Sequence, residues 1–295
     1  MSAHPPSRHH TENPVFQMPS NPIKHPFLQT MVTRVLVLTL IATTSLRAQH
    51  LLFAPLLANP FEARIGTMYQ ASDDRLRLDI GHSFDLMTLD SAAAGQWNLG
   101  GDFFTYTRLR SEGRLKFPVE TVDYFFGLNT SRRWNLRTST ADLRVRVAHI
   151  SAHLADGLAD TSGTLHPKPF VYSREFVDAV GAVTFGGTRL YAGFTAVFSN
   201  RRTSPQTNLI IPQAGIEVKH RLGGSIQAFA ALDTKLSGLD GAVSPVHAVQ
   251  AGIIIPQRGG YDLILSGYYY DGLSMHGLFL STHDSYLGFG FQIGI

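Results

Sequence analysis

The chain has 295 residues, of which 44% are hydrophobic and only 16% charged, against about 25% charged in typical soluble domains. It contains no cysteine, which excludes a disulfide framework, a cysteine-ligated metal centre, a thiol nucleophile and a lipoprotein anchor. The formal charge of +3 comes from Arg8, Lys24, Arg34 and Arg47 set against Glu12; from residue 49 onward 21 basic and 21 acidic residues cancel. The basic footprint of a nucleic-acid binder is therefore missing, and no nucleic-acid partner is expected.

Residues 1–30 are rich in proline and histidine and show no helical or strand period, which predicts a disordered upstream extension. Met31-Val-Thr-Arg34 then leads into an apolar run, 35–42, and a small or polar stretch ending Leu46-Arg47-Ala48-Gln49. A charged start, a short greasy core and a cleavage region form the layout of a secretory signal peptide over 31–48. Met31 reads as the start of that peptide, and the mature domain as 49–295. The apolar run is too short to span a bilayer as a helix, which needs about 20 residues.

From there on the pattern is alternation. Leu287, Phe289, Phe291, Ile293 and Ile295 alternate with Gly288, Gly290, Gln292 and Gly294; Leu143, Val145 and Val147 oppose Asp142, Arg144 and Arg146. Period two with one apolar face marks a half-buried strand. Twelve strands are predicted, near 63–71, 75–87, 95–107, 119–131, 134–151, 171–185, 188–200, 208–221, 223–235, 244–256, 260–272 and 283–295. They are longer than ordinary globular strands and match what a bilayer crossing requires. Charges of both signs, among them Asp102, Asp123, Arg144, Arg146, Asp178, Glu217 and Asp233, fall opposite the apolar face. A membrane barrel places that charged face in its lumen and the apolar one toward lipid. On this reading Phe194 and Phe291 touch lipid, while Arg144, Arg146 and Glu217 face inward. Aromatics near strand ends (Phe103, Phe104, Tyr106; Tyr268, Tyr269, Tyr270; Tyr286) are expected to form interface girdles.

Connection lengths support the same fold. Long loops are predicted after odd strands, at 108–118, 152–170, 201–207, 236–243 and 273–282, and short turns at Arg132-Arg133, Gly186-Gly187, 222–224 and 257–260. The first two connections, 72–74 and 88–94, break the phase. The predicted class is an all-β, transmembrane, antiparallel up-and-down barrel of about twelve strands, with a polar lumen and an apolar exterior.

Several segments resemble an uncharacterised bacterial family, domain of unknown function 1207. They are Phe53-Ala-Pro-Leu-Leu-Ala-Asn-Pro-Phe-Glu-Ala-Arg64, Asp123-Tyr-Phe-Phe-Gly127, His149-Ile-Ser-Ala-His-Leu-Ala-Asp156 and Tyr286-Leu-Gly-Phe-Gly290. The resemblance spans most of 51–295 and implies an outer-membrane β-barrel of unassigned activity. The chain departs from many such barrels in ending on Ile295 instead of an aromatic residue.

Chemistry is sparse. His149 and Ser151 stand two apart on a predicted strand and so share a face, the one that carries Leu143, Val145 and Val147. There His149 can act as base to the Ser151 hydroxyl. This His-x-Ser pattern resembles the outer-membrane phospholipase A family, twelve-stranded barrels with a serine site on the lipid-facing wall. That family's third member, an Asn on the neighbouring strand, has no clear match; Ser173 and Glu175 occupy the corresponding face, and His153 and Asp156 follow in the loop. Basic residues Arg108, Arg110, Arg114, Lys116, Arg201 and Arg202 fall at a predicted rim, where arginine suits bidentate contacts to lipid phosphate. No strand–GxGxxG–helix unit supports a nucleotide site, the histidines lack metal-ligand spacing, and no cofactor is expected. The expected partners are outer-membrane lipids and a small molecule or lipid in or on the barrel. The leading reading is a barrel of unassigned activity serving structure, a narrow pore or passage of a small ligand. The alternative is a lipid esterase using His149, Ser151 and Glu175.

Overall fold

The computed structural model describes residues 51–294 apart from 92–94, 160–161, 166–167, 169, 202–204 and 259. The expectations for the 1–30 extension, the 31–48 signal peptide, Arg202 and Gly259 therefore lie outside the described residues. Twelve strands follow one another: β1 (Ile65–Gln70), β2 (Arg75–Ser91), β3 (Gly95–Arg110), β4 (Val119–Asn135), β5 (Ser139–Leu154), β6 (Tyr172–Phe185), β7 (Thr188–Asn200), β8 (Ile210–Gly223), β9 (Ile226–Leu239), β10 (Ala242–Pro256), β11 (Asp262–Leu273) and β12 (His283–Gly294). Each pairs antiparallel with its neighbours in sequence, and β1 pairs with β12 to close the barrel. Closure leaves no unpaired strand edge facing lipid, where an unsatisfied backbone group would cost several kcal/mol. The closing seam is short, running from Ile65↔Ile293 to Gln70↔Gly288. It needs glycine on β12: a Cβ at Gly290 would lie 2.0 Å from the Thr67 carbonyl oxygen.

The side-chain alternation sorts as the sequence predicts. On β5, Asp142, Arg144 and Arg146 are buried in the lumen while Leu143 and Val147 are exposed on the outer wall. Phe194 and Phe291 lie outside and Glu217 inside. Two connections differ from expectation. The segment 236–243 is a hairpin: β9 runs to Leu239 and β10 starts at Ala242. Positive φ at both Asp240 (50°) and Gly241 (85°) gives the primed turn whose twist matches the flanking strands. Arg132 and Arg133 are not a turn but lie within β4, which extends to Asn135.

The lumen is filled. Residues 51–64, which precede β1, run inside it, with Leu52, Phe53, Leu56, Asn59 and Glu62 all buried. Wall side chains take this segment by its backbone. The Leu52 N–H donates to Asp85 (2.9 Å) and the Leu57 N–H to Glu217 (2.7 Å). Arg133, Arg189 and Arg77 donate to the carbonyls of Leu52 (2.6 Å), Ala54 (3.0 Å) and Pro60 (2.9 Å). The Phe53 ring sits between the guanidiniums of Arg144 and Arg189, at 4.5 and 4.4 Å. At the centre, Glu62 accepts two bonds from Arg144 (2.9 and 2.5 Å) and lies 3.5 Å from Arg146. Arg146 in turn bonds Asp178 at 3.0 Å.

Above this ionic layer, toward the rim formed by the longer loops, the lumen turns aromatic. Phe104 stacks on Phe125 at 4.3 Å, and Phe125 meets Phe176 edge-on at 5.8 Å. The β11–β12 loop folds inward over them, burying Met275, Leu278 and Leu280. It is pinned where Asp123 accepts from His276 Nδ1 and from the Gly277 N–H, each at 2.8 Å. This overturns part of the expected girdle. Phe104, Tyr106, Tyr270 and Tyr286 are buried lumen residues, whereas Phe103 and Tyr269 are on the outer wall. Adjacent residues on a strand point to opposite faces, so Phe103-Phe104 and Tyr269-Tyr270 cannot both belong to one belt.

Two outcomes follow for stability. Phe194→Arg is expected to cost about 2–4 kcal/mol if its depth is near the bilayer midplane, read as a shifted midpoint in a folding titration in lipid vesicles. Glu62→Ala leaves two buried guanidiniums short of a counterion and is expected to cost about 3–5 kcal/mol, with residues 51–64 becoming protease-sensitive. Burial pushes the Glu62 carboxyl up, but Arg144 and Arg146 pull it down by more, so it sits below its ordinary value of 4.5. A depressed folded value means the contribution is complete above 4.5 and is lost as pH falls through the lower one. Acid titration should release the segment in the wild type, and the release should lose this dependence in Glu62→Gln.

Candidate active site on the outer wall

The three residues singled out as catalytic come together on one face. β5 places His149 and Ser151 outward, between the inward-facing Ala148, Ile150 and Ala152. On β6, Glu175 stands opposite His149 in register, and Ser173 opposite Ser151. The His149 Nδ1 is 2.9 Å from Glu175 Oε1. An ionised carboxylate only accepts, so Nδ1 carries the proton and Nε2 is the basic nitrogen. The imidazole and carboxylate side chains are 39% and 32% exposed, open to whatever lies against the wall. No hydrogen bond joins Ser151 to His149 in this structure; they share a face at i and i+2. Catalytic hydrogen bonds are often long before substrate binds.

The surroundings are aromatic and small. Phe126 of β4 lies in register with His149, ring centroids 6.4 Å apart, and Tyr124 with Ser151. His153, also outward, packs edge-on against Tyr124 at 5.5 Å. It belongs to the same wall without touching Glu175 or His149. Asp156 falls in a single 3₁₀ turn past the end of β5. On β7, Ser199 lies in register with Glu175. The site is thus a shallow strip near the loop rim, with one hydrogen-bonded acid–base pair, three serine hydroxyls and the Tyr124 phenol.

The predicted phosphate-binding arginines do not form one cluster. Arg108 is a correction: β3 extends to Arg110, so Arg108 points into the lumen. There it bonds Glu120 at 2.7 Å and covers the Phe279 ring at 4.3 Å. Arg110 is occupied by the Gly157 carbonyl and by Glu112. Arg114, Lys116 and Arg201 are exposed, Arg114 at a positive φ of 49°. What sequence reasoning missed lies inside: the Glu62 knot and the Asp123–His276 clasp. The available signal was charge placed mid-strand at lumen positions, which in a closed barrel demands a partner from within.

A closed antiparallel barrel with an apolar outer wall and a charged, filled lumen defines the protein as a transmembrane β-barrel. Among solved structures it is similar to the outer membrane phospholipase A from Escherichia coli. The TM-score is 0.54 at 14% identity, covering 85% of this chain and 96% of that one. An active-site mutant of the same enzyme at pH 6.1 gives 0.55 at 14% identity, covering 84% and 95%. At that identity the likeness is one of fold. The chain belongs to the family described as protein of unknown function (DUF1207), which it matches over residues 6–295, a longer span than the sequence motifs suggested. No curated protein gives a significant match.

Proposed function

We propose that this protein is an outer-membrane lipid esterase of the serine type, its active strip on the lipid-facing wall near the loop rim. The observation that carries the reading is the 2.9 Å contact of His149 with Glu175, on the outward face that also presents Ser151. Facing lipid, such a strip meets its substrate laterally. Similarity of fold to outer membrane phospholipase A supports the location and is consistent with the chemistry. The filled lumen favours this reading over a pore, because the barrel has its own segment 51–64 where a channel would run.

In the proposed reaction the Ser151 oxygen attacks an ester carbonyl while His149 Nε2 takes its proton. Glu175 holds the ring in the required tautomer and steadies the imidazolium. Collapse breaks the carbonyl–alkoxide bond, His149 returns the proton to the leaving alcohol, and water, activated by the same base, releases the acid. Export by the 31–48 segment and maturation near Gln49 belong to the same proposal.

The test is hydrolysis of phospholipid and of a short-chain nitrophenyl ester by detergent-solubilised protein, with fluorophosphonate labelling. Ser151→Ala should lose label and turnover. His149→Ala should fall by about 10²–10⁴-fold, the worth of a positioned base, and Glu175→Ala by less. Turnover and labelling unchanged in Ser151→Ala would reject the assignment.

A further inference from the structure

A second feature lies inside the barrel and is independent of the outer strip. Below the β7–β8 and β11–β12 loops is a cavity of about 60 Å³, room for about four to six waters. Its lining combines the apolar Phe125, Ile150 and Phe176 with Arg146, Arg174, Lys235 and a single carboxylate, Asp178; Arg146 lies over the Phe125 ring at 5.3 Å and Arg174 over the Phe176 ring at 5.5 Å. All four charged groups are buried, at 2%, 9%, 7% and 2% exposure.

The carboxylates nearby are already engaged. Asp178 accepts from Arg146 and from the Thr195 hydroxyl, with Arg144 at 3.7 Å. Glu62 serves Arg144 and Arg146. Asp233, the neighbour of Lys235 at 3.9 Å, accepts from the Tyr191 hydroxyl. Arg144, Arg146, Arg174 and Lys235 face Glu62, Asp178 and Asp233, and Asp102, buried and bonded to Ser83 and Asn129, acts on Arg146 from the other side. Among the described residues no carboxylate lies within ion-pair distance of Arg174, whose guanidinium lies over the rings of Phe61 and Phe176, each at 5.5 Å. Two buried donors at the cavity, Arg146 Nη1 and Arg174 Nε, have no hydrogen-bond partner. A buried guanidinium without a counterion is costly, and its planar fork suits a carboxylate.

We infer that this cavity is a binding site for a small organic monoanion, a short-chain carboxylate. Its charged end lies against Arg174, Arg146 and Lys235, and its few carbons against Phe125, Ile150 and Phe176. The volume excludes a long acyl chain, and the two unpartnered guanidinium donors, Arg146 Nη1 and Arg174 Nε, are matched by one carboxylate.

The test uses the full mature barrel in detergent, titrated calorimetrically with butyrate, with butyramide as the uncharged isostere and with inorganic phosphate. Butyrate should bind at least tenfold more tightly than either. Arg174→Met should weaken it at least tenfold, and Lys235→Met should do the same if the first variant does not fold, as judged by heat-modifiable gel mobility. Ser151→Ala should bind butyrate as the wild type does, which separates this site from the outer strip. Equal binding of butyramide would remove the role of charge, and equal binding of phosphate the role of the apolar wall. No butyrate binding, or binding unaltered in a folded Arg174→Met or Lys235→Met, would overturn the site.

Discussion

Two arginines two residues apart on β5 set the problem that the rest of the interior solves. Arg144 and Arg146 share a face and both enter the lumen, where each is 3% exposed or less. The neighbouring strand offers Asp178 to both. The second carboxylate comes from Glu62, outside the sheet altogether. Arg144 and Arg146 therefore have a second carboxylate only when residues 51–64 are in place. The segment is held as a peptide ligand would be, with wall side chains on its backbone and one aromatic ring, Phe53, between two guanidiniums. The Leu, Ala and Pro residues around that ring contribute burial, but the position of the segment is set by charge.

Filling the lumen divides the molecule into two chemical environments. Inside, most charges are buried and paired, and an aromatic layer closes off the loop side. Outside, most of the wall is apolar, and two His–carboxylate pairs, His149–Glu175 and His283–Asp271, interrupt it near strand ends. Lipid-facing strands rarely carry such groups without a use, since charge on that face is destabilising in proportion to its depth. The position of the His149–Glu175 pair near the strand ends lessens that cost. The interior cavity obeys a different logic, one of buried guanidinium donors left without partners rather than of reach.

Most of the barrel was legible because period two reads directly as faces. The boundaries of β7, Thr188–Asn200, coincide with the predicted strand at 188–200, and the outward triad candidates follow from parity alone. The failures have physical causes. Arg108 was read as loop because charge after an aromatic run looks like a strand end; its real partner, Glu120, is on the far side of the hairpin and invisible to local pattern. The hairpin at Asp240-Gly241 carried its own signal, since this dipeptide accepts positive φ at both central positions, but Gly238 and Pro245 beside it read as a longer loop. The buried tyrosines were assigned to a girdle by proximity to strand ends, when parity already divided them. The clasp between Asp123 and His276 joins residues 153 apart, and nothing in either neighbourhood announces the other.

The seam between first and last strands has a mechanical meaning. Six residue pairs join β1 to β12 and five join β1 to β2, whereas β5 and β6 share fourteen. Under lateral load the ring parts beside its shortest strand. That strand continues directly into residues 51–64, which are bonded to β2, β4, β5, β7 and β8 from within. The barrel is a split ring, and the pin that bridges its weak arc to the opposite wall is made from its own leading end.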